Sequence, residues 1–141
     1  MDSIIQLLQE KNNNLEKFYR LNEAELENFA AGDFNHLEEF YSNREGLLTV
    51  VKKIDDMIEK SNETAAAGET ISAEQKLIIH KALQYKNDLV NKILAQDLEI
   101  LSVIEIEKSN MIKELTQVRA TKKALGSYKS GTKKSNLDEE A

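Results

Sequence analysis

From Ser3 onward the apolar residues Ile4, Leu8, Leu15, Phe18, Leu26 and Phe29 recur in alternating steps of three and four, while Lys11 and Asn22 put polar groups at two positions of the same seam. That period is the signature of one helical face and predicts a first helix over about residues 3–31. Ala30-Ala31-Gly32-Asp33 follows. It offers a glycine able to take the left-handed conformation that ends a helix and an aspartate able to cap the next one. A second helix is predicted from Phe34 to about Lys60. Its stripe holds Phe34, Leu37, Tyr41, Leu48, Val51, Ile58 and either Ile54 or Asp55, widened by Phe40, Leu47 and Met57 and interrupted by Arg44. So short a connection between two helices of equal length forces them side by side and antiparallel, each about 40 Å long at about 1.5 Å per residue.

Residues 61–71 lose the period and gather turn formers. Ser72-Ala73-Glu74-Gln75 then has the spacing of a reciprocal cap, in which the serine and the glutamine each satisfy the other's backbone N–H. A third helix should therefore begin near Ala73. Its pattern persists to about Leu125 through Ile79, Leu83, Val90, Ile93, Ile100, Ile104, Met111, Leu115 and Val118. Ser109-Asn110 offers a place to break, but no glycine or proline demands one, so one long helix of nearly 80 Å is predicted. Residues 126–141 are small, polar and charged, and bury too little to offset the entropy of ordering them. The expected fold is thus all-α: an antiparallel three-helix coiled coil over residues 1–125, made of an N-terminal hairpin and a long third helix, followed by a flexible tail over 126–141.

The mismatch in length has a consequence for function. A hairpin of about 40 Å covers only half of such a third helix, so Ile100, Ile104, Met111, Leu115 and Val118 would be left without a cover. Burying each would contribute roughly 1.5–3 kcal/mol before ordering costs, enough to capture a partner helix or a second copy of the chain. These five residues are the predicted partner-binding strip.

Composition narrows the chemistry. Proline and cysteine are absent from the 141 residues, which removes helix breakers, disulfides and thiolate chemistry and suits a reducing compartment. The opening Met1-Asp2-Ser3-Ile4-Ile5 lacks a basic start and a signal-length apolar core, and no apolar run reaches membrane-spanning length, so a cytoplasmic protein without stable membrane insertion is expected. Neither His36 nor His80 has the Glu-x-x-His spacing of a helical di-metal site, and the pairs Glu38-Glu39 and Asp55-Asp56 read as solvated faces. No phosphate-binding glycine motif or nucleophile elbow is present, so neither an enzyme nor a cofactor or metal site is expected.

Charge is uneven along the chain: residues 1–61 carry a net −6, 62–108 a net −3, 109–134 a net +6 and the last seven residues −3. The basic stretch lacks the interleaved aromatics of a nucleic-acid surface, so nucleic acid is not an expected partner. Arg119, Lys122 and Lys123 complement the negative end of the third helix or face an acidic protein.

The run from Glu25 through Gly32-Asp33 to Leu37, followed by Arg44-Glu45-Gly46-Leu47-Leu48, resembles the hairpin of FlgN/FliT-type flagellar export chaperones. Ile5-Gln6-Leu7-Leu8-Gln9-Glu10-Lys11, the pair Asn87 and Asn91, and Tyr128-Lys129-Ser130-Gly131 extend the likeness over about residues 4–131. The resemblance implies a cytosolic chaperone that holds unassembled hook-filament junction or cap proteins and delivers them to the type III export gate. It implies that the late strip holds an amphipathic terminal helix of the client and that Tyr128 addresses the export-gate protein. The alternative reading of the same residues is a homodimeric structural or adaptor coiled-coil protein with no chaperone role.

Overall fold

A computed structural model describes residues 2–65 and 70–129, with side chains described over 2–64 and 70–126. Three helices account for nearly all of them: α1 (Asp2–Ala30), α2 (Leu37–Ala65) and α3 (Ala73–Lys129). The all-α, three-helix architecture expected from the periodicity is the observed one.

Chain ends and turns follow from local chemistry. At the end of α1, Gly32 takes φ +77°; its N–H donates to Phe29 C=O at 2.9 Å and the Asp33 N–H to Asn28 C=O at 2.8 Å. This is the double bond of a glycine-terminated helix, which the left-handed residue makes possible. Asp33 does not cap α2 as the spacing suggested. Its Oδ1 accepts from the Asn35 N–H at 3.0 Å, closing a side-chain turn, while Phe34 stacks on Phe29 at 4.9 Å. The first bond of α2 runs from Phe40 N–H to His36 C=O, so the helix starts at Leu37, three residues later than Phe34. At its far end α2 continues past Lys60 to Ala65, helped by Thr64, whose hydroxyl donates back to the Lys60 and Ser61 carbonyls.

The cap of α3 is formed as its sequence predicts. Gln75 N–H donates to Ser72 Oγ, and Ser72 N–H to Gln75 Oε1, both at 3.1 Å. α3 is unbroken at Ser109 and runs to Lys129, the last described residue, so residues 126–129, expected in the tail, are helical. Adding a few residues to a helix already nucleated costs little. The expected tail from residue 130 onward lies outside the described residues.

The chain divides into two units, Met1–Ile100 and Leu101–Ala141. In the first, the helices run up, down and up. Asp2 meets Gln75, Asn12 meets Ala82 and Asn22 meets Gln96, so α3 advances parallel to α1 and antiparallel to α2. Leu15 and Phe18 of α1 and Leu89 and Ile93 of α3 form the core, with Tyr19, Leu47, Val51 and Val90 against it.

Candidate protein-binding surface

The first unit is registered by a polar layer rather than by apolar contacts alone. Arg44, which interrupts the apolar pattern of α2, lies in the interior. Its Nη2 is 3.1 Å from Asp97 Oδ1, and its guanidinium carbon sits 4.9 Å from the Phe18 ring centre and 5.2 Å from that of Phe40. Asn22, fully buried, donates to Asp97 Oδ1 at 3.0 Å and to Gln96 Oε1 at 3.2 Å; Gln96 in turn donates to the Tyr19 carbonyl. Residues of all three helices thus share one network, and sliding any helix by a turn would leave a half-buried charge and the buried Asn22 without partners. Among the described residues the Asn22 Oδ1 atom finds no hydrogen-bond partner.

This layer explains where the apolar reading of the seams departs from the structure. On α2 the inward stripe is Leu37, Phe40, Arg44, Leu47, Val51, Ile54 and Ile58, whereas Tyr41 and Leu48 are about half exposed. On α1, Asn12 and Glu25 are buried; Lys11, half-buried, reaches out to Asp55 at 2.6 Å. On α3, Leu89, Ile93, Gln96 and Ile100 face inward, and Leu83 is exposed. A large apolar residue therefore yields an interior position to a polar one wherever the polar one finds a partner.

The five predicted strip residues separate into two groups. Ile100 is 2% exposed and belongs to the core of the first unit, so it cannot contact a partner there. Its position continues the inward series Leu89, Ile93 and Gln96, and that series takes it into the core. Ile104 is half-buried. Met111, Leu115 and Val118 are 60%, 51% and 49% exposed, and Leu101, Ile106, Ile112 and Leu125 are exposed beside them. In the second unit α3 therefore presents apolar side chains in a solvent-facing helix. The side chain of Tyr128 lies outside the described residues.

Compared with known proteins, the chain matches no family model, no curated protein and no solved structure.

The remaining titratable groups have local partners or face solvent. His36 Nε2 is 3.0 Å from Asp33 Oδ2, and the Asn35 backbone bond, aided by His36, holds the Asp33 carboxyl below its usual range. Tyr85 donates to Glu16, and that bond holds its phenol above the ordinary range. Glu38, Glu39 and Asp56 are exposed. Among the described residues no group of three or more His, Asp or Glu side chains is placed to hold a metal ion, and no helix is long and apolar enough to cross a membrane.

A shallow groove of about 350 Å³ runs between α1 and α2, lined by Glu25, Asn28, His36, Glu39 and Phe40. Another, of about 370 Å³, lies between α1 and α3 beside Glu16, Arg20, Tyr85 and Lys92. Both are open and polar, unlike the apolar enclosures that hold small molecules.

Proposed function

We propose that this chain is a cytosolic chaperone that holds an unassembled flagellar filament-type protein, of the hook-filament junction or cap kind, and delivers it to the type III export gate. The observation that carries the protein-binding part is the solvent exposure of Met111, Leu115 and Val118 on one helix. Large apolar side chains at helical spacing lose little by staying helical and gain roughly 1.5–3 kcal/mol each when a second amphipathic helix covers them. The identity of the client and the role of Tyr128 as the export-gate contact rest on the sequence resemblance. The acidic first unit, held in register by the Arg44 and Asp97 pair, would serve as the rigid handle.

The test is a titration of the full chain with the terminal helix of a hook-filament junction or cap protein, read by calorimetry. Binding that survives high salt and is lost in Met111→Lys and Leu115→Lys supports the reading. Absence of binding to every filament-type terminal helix overturns it. Tyr128→Ala should keep client affinity and helicity but impair export; a loss of affinity there would refute its assignment to the gate.

A further inference from the structure

We infer that, without a client, two copies of this chain pair through α3 in antiparallel fashion, the late α3 segment of each copy lying in the groove between α2 and α3 of the other's first unit. The inference concerns the same strip as the client reading and names its occupant when no client is present.

α3 carries two apolar stripes. The inward one, Leu89, Ile93, Gln96 and Ile100, is used by the first unit. The second runs in alternating steps of three and four from Leu83 to Leu125, and its members are exposed or half-buried. Within the first unit this outer stripe supplies Leu83, Val90, Leu94 and Asp97. It lies on the side where Asp97 meets Arg44 of α2, and the neighbouring edge of α2 adds Tyr41 and Leu48, 49% and 54% exposed. The first unit thus leaves apolar side chains on neighbouring edges of α2 and α3 exposed, where a fourth helix can cover them.

The charges favour a second copy as the occupant. The late segment Leu101–Lys129 carries a net +3, whereas α2, Leu37–Ala65, carries a net −3. On the α2 edge on that side, Glu45 and Glu59 share a stripe with one cation, Lys52, and with Asp55, which Lys11 already pairs. The late α3 segment brings Lys113, Arg119, Lys122 and Lys123. The described part of the late segment, Leu101–Lys129, is long enough to lie along the whole of α1, so it can span the bundle as a fourth member.

The repeat also selects a register. In an antiparallel pair the two kinds of seam position face each other, and one alignment sets Met111 against Leu94, Leu115 against Val90 and Ile104 against Leu101 of the other copy. The same alignment sets Lys108 against Asp97. Both intramolecular bonds to that carboxylate end on Oδ1, leaving Oδ2 to accept from the incoming ammonium. Shifting by one repeat either way sets Asp97 against Leu101 or Leu115 in mid-seam, whereas the charge that the favoured register sets against an apolar residue, Lys122 against Leu83, lies near the end of the seam, where a long side chain reaches water. The twofold operation generates every pair twice, so the contact closes on itself.

The experiment uses the full chain without client, which has no cysteine to interfere. Sedimentation should show a reversible dimer. The double variant Leu94→Cys/Met111→Cys should form an intermolecular disulfide on mild oxidation, whereas Met111→Cys alone should not, because its copies would lie many residues apart. Lys108→Glu, which opposes two carboxylates, should raise the dimer dissociation constant about tenfold with helicity unchanged. A chain that is monomeric from micromolar to millimolar concentration, efficient crosslinking by Met111→Cys alone, or an unaltered dimer in Lys108→Glu would each overturn the inference. The client titration is a separate readout, so either reading can fail alone. If both hold, client binding converts the dimer into a one-to-one complex.

Discussion

Arg44 of α2 and Asp97 of α3 are joined at 3.1 Å in a position where the heptad pattern calls for apolar side chains. The arginine is 18% exposed and lies over two phenylalanine rings, so it is solvated by protein rather than by water. Removing one partner of such a pair leaves a largely buried charge without compensation. Asp97→Ala should lower unfolding free energy by about 2–4 kcal/mol in urea titration. The double replacement Arg44→Met/Asp97→Leu should cost less than the sum of the two single changes, because no charge is then stranded.

Ser72 and Gln75 bind each other's backbone N–H at the start of α3. Ser72→Ala removes one of those bonds and should cost about 1 kcal/mol, measured as a fall in the urea midpoint at constant slope. Ser72→Asp, which keeps an acceptor and adds favourable charge at the helix start, should restore most of it.

Gly46 and Gly32 should respond in opposite directions. An added methyl at Gly46 meets nothing within 4 Å, and the residue is inside α2, so Gly46→Ala should stabilise by about 1 kcal/mol. Gly32 also has free space, but its φ of +77° strains any L side chain, so Gly32→Ala should destabilise by about 1–2 kcal/mol. Paired thermal melts distinguish the signs.

The Asp33 carboxyl is held below its ordinary value of 3.8, first by the Asn35 backbone bond. A carboxyl whose folded value is lower than its unfolded one contributes stability above the unfolded value, and that contribution is lost as pH falls through the folded one. Carboxyl NMR titration should therefore place the Asp33 midpoint below that of an unfolded peptide. In Asp33→Asn, this share of the acid sensitivity below about pH 4 should disappear.

Much of this fold was legible in one sequence because helices announce themselves locally. The three-four spacing, the Gly32 stop and the Ser72-Gln75 cap each involve residues within a turn or two of one another, so short-range physics decides them. Boundaries failed where a side chain had a choice of local bonds. Asp33 could cap α2 or close a turn on Asn35, and the second outcome comes with the stacking of Phe34 on Phe29 and the contact of His36 with the Asp33 carboxylate.

The candidate strip was legible only in part. Its exposed members Met111, Leu115 and Val118 are simply the apolar residues of α3 beyond the first unit. Ile100 was misplaced because α3 carries two apolar stripes about a quarter-turn apart, and hydrophobicity alone does not rank them. The polar layer was legible only in part: the apolar pattern put Asn22 and Arg44 on the seams of α1 and α2, but nothing in it named their partners Gln96 and Asp97. Their partners lie more than 50 residues away in the chain, and a buried polar group becomes tolerable only when such a partner arrives.

Local pattern alone settles that this chain is helical, that α1 stops at Gly32, that Ser72 and Gln75 open α3, and that a strip of large apolar residues continues past what a short hairpin can cover. Only the tertiary structure decided which of two stripes faces inward, which polar residues fix the register, and that Ile100 is core while Met111 faces water. The reason is one of range. Helix formation is governed by neighbours a turn away, whereas burial is a competition among faces that is settled only when three helices meet.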